Sequence, residues 1–527
     1  MSHTSDKATG AGDHAPDTVS RPPDAAGGPG HARLSPSLII VVSALVFAAF
    51  RQGAYYGPQF ATVERLLGAA AIVALLSAIA AALPRWADRI SNHRAGHRPH
   101  PIHLGVRMAA GWAPAPAVGA AVGLAVATTI SGAMRHQLSA ASPTLGILAT
   151  AAVVASLVSS SSGKVQQTLL GGLVVVGVMV ALTGWWGVAA HRWPWSLVDG
   201  GLWRAASTLT YANATAAVCV SLALVALSQL VVRRGPLWSL AATVLLTGAA
   251  ATLSRAGALG FAVGVIVLSA QLGVVPLLIA AWPAVLGATV AAAGLATSFQ
   301  AAPNGAIGPG HLGVAGAAGA VGLAVSLAGG LRPPQLRAAG QWPTATARQP
   351  AWRGRRGWSV ALVVLVATAG AVAFARPAVR NDRFSIQSPD RTKAWQATWR
   401  LVESHPWTGV GPGPFAASWT GPDGEALTAQ YTHNEYLQLT AQEGALGAGA
   451  MILGLGGIAC LAWRRRPRCR RWAPTTELSR WAGGAAALSA LALHSGFDFL
   501  WHIPLIPLLG AAFAGIVLSH PTRETAP

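Results

Sequence analysis

Residues 390–447 read DRTKAWQATWRLVESHPWTGVGPGPFAASWTGPDGEALTAQYTHNEYLQLTAQEGALG, a polar stretch in a chain that is otherwise membrane-like. Seven of the 17 acidic residues lie between Asp382 and Glu443, and none lies between Gly200 and Asn381. Ser388-Pro389-Asp390 reads as a helix start: a capping hydroxyl, proline at the first position and an acid near the positive end of the dipole. Trp395, Trp399 and Val402 follow at i, i+4, i+7, with Arg391 one turn before Trp395. His405-Pro406 ends that helix. Gly409, Gly411 and Gly413 then alternate with Val410, Pro412 and Pro414 in a turn-rich loop, whose prolines lack N–H donors and favour a rigid connection over a phosphate nest. Thr432-x-x-Glu435 has the form of a capping box, which puts His433 in the first turn of a second helix. Gly444 comes eleven residues later, close to three turns, with Gly447 beyond it. Small residues on that stripe admit a neighbouring helix beneath the histidine.

Outward from this stretch the chain is apolar. Of its 527 residues 53% are hydrophobic and 10% charged. Several runs exceed the roughly 20 apolar residues that cross a bilayer, so the fold class is an all-α polytopic membrane protein. A net charge of +20 in a soluble protein points to nucleic acid. Here the arginines cluster between apolar spans, which favours the membrane and excludes nucleic acid as partner. The three cysteines, Cys219, Cys460 and Cys469, make no disulfide framework.

Residues 1–35 lack periodicity and read as a disordered tail. Apolar spans follow at 36–50, 62–83, 105–132, 143–160, 165–190, 211–232, 237–253, 256–272, 274–297, 312–329, 358–375, 437–463, 480–497 and 503–519, about 12–14 transmembrane helices in all. Arginines crowd four connections: Arg85 to Arg98, Arg233-Arg234, Arg332 to Arg356, and Arg464 to Arg471. With these spans all four fall on one side together with both termini, and the positive-inside rule makes that side the cytoplasm. The order is then a tail at 1–35, a transmembrane bundle at 36–375, an extracytoplasmic loop at 376–436 and C-terminal transmembrane helices at 437–527. Localisation follows as a multi-pass protein of the inner or plasma membrane.

His433-Asn434, nine residues, then Gly444-x-x-Gly447 resembles the H-N-x9-G-x-x-G signature of the O-antigen ligase and polymerase family. Arg391-x3-Trp395 and His405-Pro406-x2-Gly409-Val410-Gly411-Pro412-Gly413 resemble the loop before it. Ser254-Arg255, the Asn213-Ala214 span start and the His494-Ser495-x-x-Asp498 stretch resemble further segments of that family. The resemblance implies a GT-C-like bundle in which one large extracytoplasmic loop closes over a lateral cleft. It also implies a glycosyltransferase that takes a glycan from a polyprenyl-diphosphate carrier and places it on an acceptor hydroxyl. The sequence has no D-x-D pair to hold a divalent metal and sets arginines where a metal would balance the diphosphate, so no metal and no cofactor are expected. The acceptor stays open between another lipid-linked glycan, a lipid and a protein.

Each candidate has a plain alternative. Arg255 at a helix end either snorkels to headgroups or grips a phosphate bidentately. Arg391 is either a solvated residue of an interfacial helix or a second phosphate ligand. The resemblance assigns both to the donor diphosphate. His433 is either a polar first-turn residue or a general base, which a helix N-terminus would keep neutral. Asn434 and Glu435 read as orienting or capping groups, Gly444 and Gly447 as packing positions. His494, Asp498 and His502 recur every four residues. They read either as metal ligands on one helix face or, for Asp498, as a structural partner of an outer-face arginine. The competing class is a transporter or lipid-linked-glycan flippase without catalysis. It calls for ionisable residues at mid-membrane, where the acid-free run from Gly200 to Asn381 offers no carboxylate.

Overall fold

The computed structural model describes residues 34–94, 115–233, 235–300, 309–331, 389–421, 423–467 and 475–520. The tail before Leu34, the span expected at 358–375 and the basic stretch beyond Leu331 lie outside them. The described residues form fourteen α-helices: α1 (Pro36–Phe50), α2 (Gly57–Arg94), α3 (Ala115–Met134), α4 (Ser142–Ser159), α5 (Gly163–Ala189), α6 (Ala212–Arg233), α7 (Pro236–Ala251), α8 (Arg255–Leu272), α9 (Val274–Ala293), α10 (Pro309–Leu331), α11 (Pro389–Ser404), α12 (Glu435–Arg464), α13 (Thr476–Ser495) and α14 (Leu505–Val517). Among these residues nine stretches are long and apolar enough to cross a membrane. The protein is an all-α, multi-pass membrane protein.

The bundle is built round α6. Its residues Ala212 to Val231 are all buried, as a helix apolar on every side requires. It runs antiparallel to α13: Asn213 at its start meets Asp498 beyond the end of α13, while Ser479 near the start of α13 donates to the Ser228 carbonyl near the end of α6. Small residues let such helices approach. A Cβ on Gly287 of α9 would run into the Gly322 carbonyl of α10, so these two backbones cross in direct contact.

Two short antiparallel hairpins, which helical periodicity did not announce, stand outside the bundle. In the first, β1 (Ser196–Asp199) pairs with β2 (Leu202–Ala205), and Asp199 lies opposite Leu202. Gly200 and Gly201 both have positive φ, 59° and 74°, the requirement of a two-residue type I′ turn. In the second, β3 (Ala417–Thr420) pairs with β4 (Ala426–Ala429). A small core of Ala397, Phe415, Ala417 and Ala441 fixes it to α11 and α12.

The stripe expected on α11 is shifted. Ala394, Ala397 and Thr398 are its buried residues, and Trp399 is 53% exposed. The expected capping box at Thr432 is also corrected. Asn434 is the N-cap of α12, accepting from the Leu437 N–H, and Glu435 is the first helical residue. Thr432 is held by tertiary bonds instead: its N–H donates to Gln438 Oε1 and its carbonyl accepts from Trp395 Nε1 at 2.8 Å.

Nor does α12 run unbroken past its glycines. Gly444 has φ 64° and ψ −158°, a region open essentially to glycine alone. The bend removes the helical pairs 445/441 and 446/442, and the 406–411 loop replaces them. The N–H groups of Val410 and Gly411 donate to the carbonyls of Ala441 and Gln442, both at 2.9 Å. Those of Ala445 and Leu446 donate to Pro406 and Trp407, at 2.7 and 3.4 Å. Lipid offers no substitute partners, so such a bend persists only where protein supplies them. The expectation of a helix packed beneath the histidine is therefore corrected: a loop packs there. The end of α3 clamps that loop in turn, through Ser131 Oγ to the Thr408 carbonyl and Arg135 Nε to the Gly409 carbonyl, at 2.7 and 2.8 Å.

Candidate functional site

His433 is the residue just before the α12 cap. Its φ is +52°, an uncommon conformation for a residue with a side chain. Thr432, Asn434 and the docked face of α11 hold it there. Its Nδ1 lies 2.9 Å from Oδ1 of Asp498, whose side chain is fully buried while that of His433 is 32% exposed. The expectation that Asp498 would serve an arginine is corrected: its side chain bonds His433, Tyr211 and Asn213 instead.

Asp498 sits in the turn between α13 and α14 and accepts several hydrogen bonds besides. Tyr211 Oη donates to Oδ1 at 2.6 Å, Asn213 Nδ2 to Oδ2, and the Phe499 N–H to Oδ1 at 2.9 Å. Burial alone would raise its pKa. The His433 contact and the Tyr211 hydroxyl override that effect and hold it at about 2. The same burial, and then the Asp498 charge, push the Tyr211 phenol well above its ordinary range. Asp498 is thus a carboxylate and accepts only. Nδ1 of His433 must carry the proton, which leaves Nε2 as the basic nitrogen. Nε2 makes no hydrogen bond among the described residues. The ring packs edge-on against Phe499, which stacks on Tyr431 at 4.4 Å.

Arg391 reaches this turn from α11, donating through Nη1 to the Phe497 carbonyl at 3.1 Å. Arg255 opens α8 behind the Ser254 cap, at the same end of the bundle. Three residues before it, the Thr252 carbonyl accepts from Arg204 Nε at 2.8 Å, and Arg204 Nη2 donates to Asn213 Oδ1 at 2.9 Å. Glu435 is 2% exposed. It accepts from the Trp501 N–H and from His502 Nδ1, the latter at 3.3 Å, and so ties α12 to the turn that carries Asp498. Gly447 leaves room for the buried Glu443 carboxylate, which accepts from Thr128 Oγ1. An open groove of about 500 Å³ runs along α11 past Trp395, Trp399, Arg400 and Leu437.

The helical ligand set is corrected as well. α13 stops at Ser495, so His494, Asp498 and His502 do not share one helix. His494 stays buried in α13, Asp498 turns to His433, and His502 to Glu435 and Gln438. Sequence reading passed over Arg204 and Tyr431, and took Tyr211 only as the head of a family-like span start. Only Tyr211 had a signal, its place at the head of the Asn213 span.

Fold and site together define a multi-pass helical membrane protein with a His–Asp pair at one end of its bundle. Residues 311–452 match the family model for O-antigen ligase, the same family that the motifs resemble. The matched stretch contains Arg391, His433, Asn434, Gly444 and Gly447; Arg255 and Asp498 lie outside it. No curated protein matches the chain. Its class of function is accordingly glycan processing at a membrane, of the ligase or polymerase type.

Proposed function

We propose that the protein is a glycosyltransferase that moves a glycan from a polyprenyl-diphosphate carrier to an acceptor hydroxyl on the outer face of the inner or plasma membrane. The loop at 376–436 supplies its catalytic part, between a transmembrane bundle at 36–375 and C-terminal transmembrane helices at 437–527. The observation that carries this reading is the His433–Asp498 pair, with its unengaged Nε2 and with Arg391 of α11 bonded to the turn that carries Asp498.

In this reaction the acceptor O–H gives its proton to Nε2 of His433 as its oxygen bonds to the anomeric carbon. The bond from that carbon to the diphosphate breaks, and the electron pair leaves with the polyprenyl diphosphate. Asp498 stabilises the imidazolium. Arg391 and Arg255 hold the diphosphate and balance the charge that develops on it; the planar fork of each suits two phosphate oxygens at once.

The test measures donor binding and glycan transfer on the same full-length variants in detergent. His433→Ala should bind the lipid-linked donor nearly as wild type does and transfer about 10²–10⁴-fold more slowly. Arg391→Ala and Arg255→Ala should lose donor affinity as well as rate, with lysine restoring only part because it lacks the fork. Near wild-type transfer by His433→Ala, or loss of donor binding alone, would sink the general-base assignment.

A further inference from the structure

We propose that Arg204 and Asn213 are positioning residues that hold the Asp498 carboxylate in place against His433 Nδ1, and so keep Nε2 the bare ring nitrogen. The proposal rests on the reading of His433 as base.

The β1–β2 hairpin prepares the start of the relay. Arg204 lies opposite Leu197, which puts it on the same face as Asp199, one diagonal step away. Nη1 of Arg204 meets Asp199 Oδ2 at 2.5 Å. Asp199 and the Thr252 carbonyl hold two sides of the guanidinium, and Nη2 is aimed at Asn213 Oδ1. Arg204 and Asn213 are each 7% exposed.

The chemistry of each group dictates the sense of the next bond. A guanidinium has no acceptor, so Asn213 must turn its oxygen to Arg204. Its NH2 group then faces Asp498 Oδ2 and donates to it. Asp498, a carboxylate with Tyr211 donating to its other oxygen, can only accept from His433 Nδ1. The proton sits on Nδ1 and the lone pair on Nε2. Reversing Asn213 would set its oxygen against a carboxylate and its NH2 against a guanidinium, two repulsions in a buried site. An ion pair serving the hairpin alone would be complete with Asp199 and Thr252. The third branch, to Asn213, connects it to the histidine.

The experiment reads the tautomer directly. Full-length protein carrying ¹⁵N-labelled histidine is examined by NMR in detergent, with His433 assigned by its loss in His433→Gln. In wild type Nδ1 should have the shift of a protonated ring nitrogen and Nε2 that of a bare one. Asn213→Leu, which leaves the hairpin pair intact, should give a mixture of tautomers, and kcat should fall about 10- to 100-fold, the usual cost of losing an orienting partner, with KM little changed. Arg204→Met should do the same, and Arg204→Lys, still a donor without an acceptor, should restore part of the Nδ1–H form. An unchanged tautomer in Asn213→Leu overturns the relay whatever the rate. A shifted tautomer in a protein whose transfer does not depend on His433 upholds the relay and overturns the base.

Discussion

Gly444 and Trp407 meet backbone to backbone: a Cβ on Gly444 would run into the Trp407 carbonyl group. The contact is reciprocal across the bend in α12, since Gly409, at φ +68°, sits in the same way on the Gln442 carbonyl. The two glycine-bearing motifs are therefore two halves of one joint. Each supplies the gap into which the backbone of the other fits, and their hydrogen bonds replace those the bend removes.

The joint predicts a sharp contrast between two glycines of α12. Gly444→Ala adds a Cβ where there is no space and at a φ of +64°, a strain of about 1–3 kcal/mol before any clash. Its melting temperature in detergent should fall well below wild type, or folded protein should fail to accumulate. Gly449→Ala, where a Cβ meets nothing within 4 Å, should melt at or above wild type. Equal melting of the two variants would mean that the joint does not hold the helix.

Sequence disclosed what depends on local pattern. Of the expected spans, every one on described residues is a helix, because length and apolarity suffice to specify a crossing. His433 and Arg391 were legible from motif spacing. Asp498 was legible as a residue but not as a partner, since nothing local announces a contact with a histidine 65 positions away. Two capping signals competed at Thr432 and Asn434. The box at Thr432 lost because Trp395 and Gln438 engage its backbone from outside the local segment. Counting three turns from His433 to Gly444 assumed an unbroken helix, whereas the positive φ that breaks it is fixed by the loop beneath. Arg204 left no trace in helical periodicity, for it comes from a hairpin.

The lock between Glu435 and His502 gives a pH prediction. Burial alone would lower the His502 pKa, but the charge and hydrogen bond of Glu435 raise it above the ordinary value. A raised histidine contributes stability that is complete below its unfolded value of about 6.5 and is lost as pH rises through the folded value. Since 33% of the side chain is exposed, the effect is modest. Thermal melts of wild type and His502→Gln should converge as pH is taken from about 6 to 9, wild type losing more. Parallel curves would mean that the charged pair does not form.

The placement of the site outside the cytoplasm is the remaining prediction, and it rests on the direction in which helices run. α2, α6 and α12 all start at the site: Tyr55 just before α2 bonds to Tyr431 at 2.6 Å, Asn213 opens α6, and Asn434 caps α12. They end at Arg94, Arg233 and Arg464. Arginine-rich ends stay in the cytoplasm during insertion, so the end that carries His433 faces the other way. In a cysteine-free background, Asp423→Cys, exposed on the β3–β4 turn, should react with an impermeant maleimide in intact cells. Gln341→Cys, in the arginine-rich stretch beyond α10, should react only after the membrane is opened. Labelling of Gln341→Cys alone in intact cells would invert the protein, and labelling of both would break the alternation of spans. The first result would put His433 beyond reach of a carrier-linked glycan on the outer face; the second would keep the site outside and overturn the cytoplasmic placement of the arginine-rich stretch.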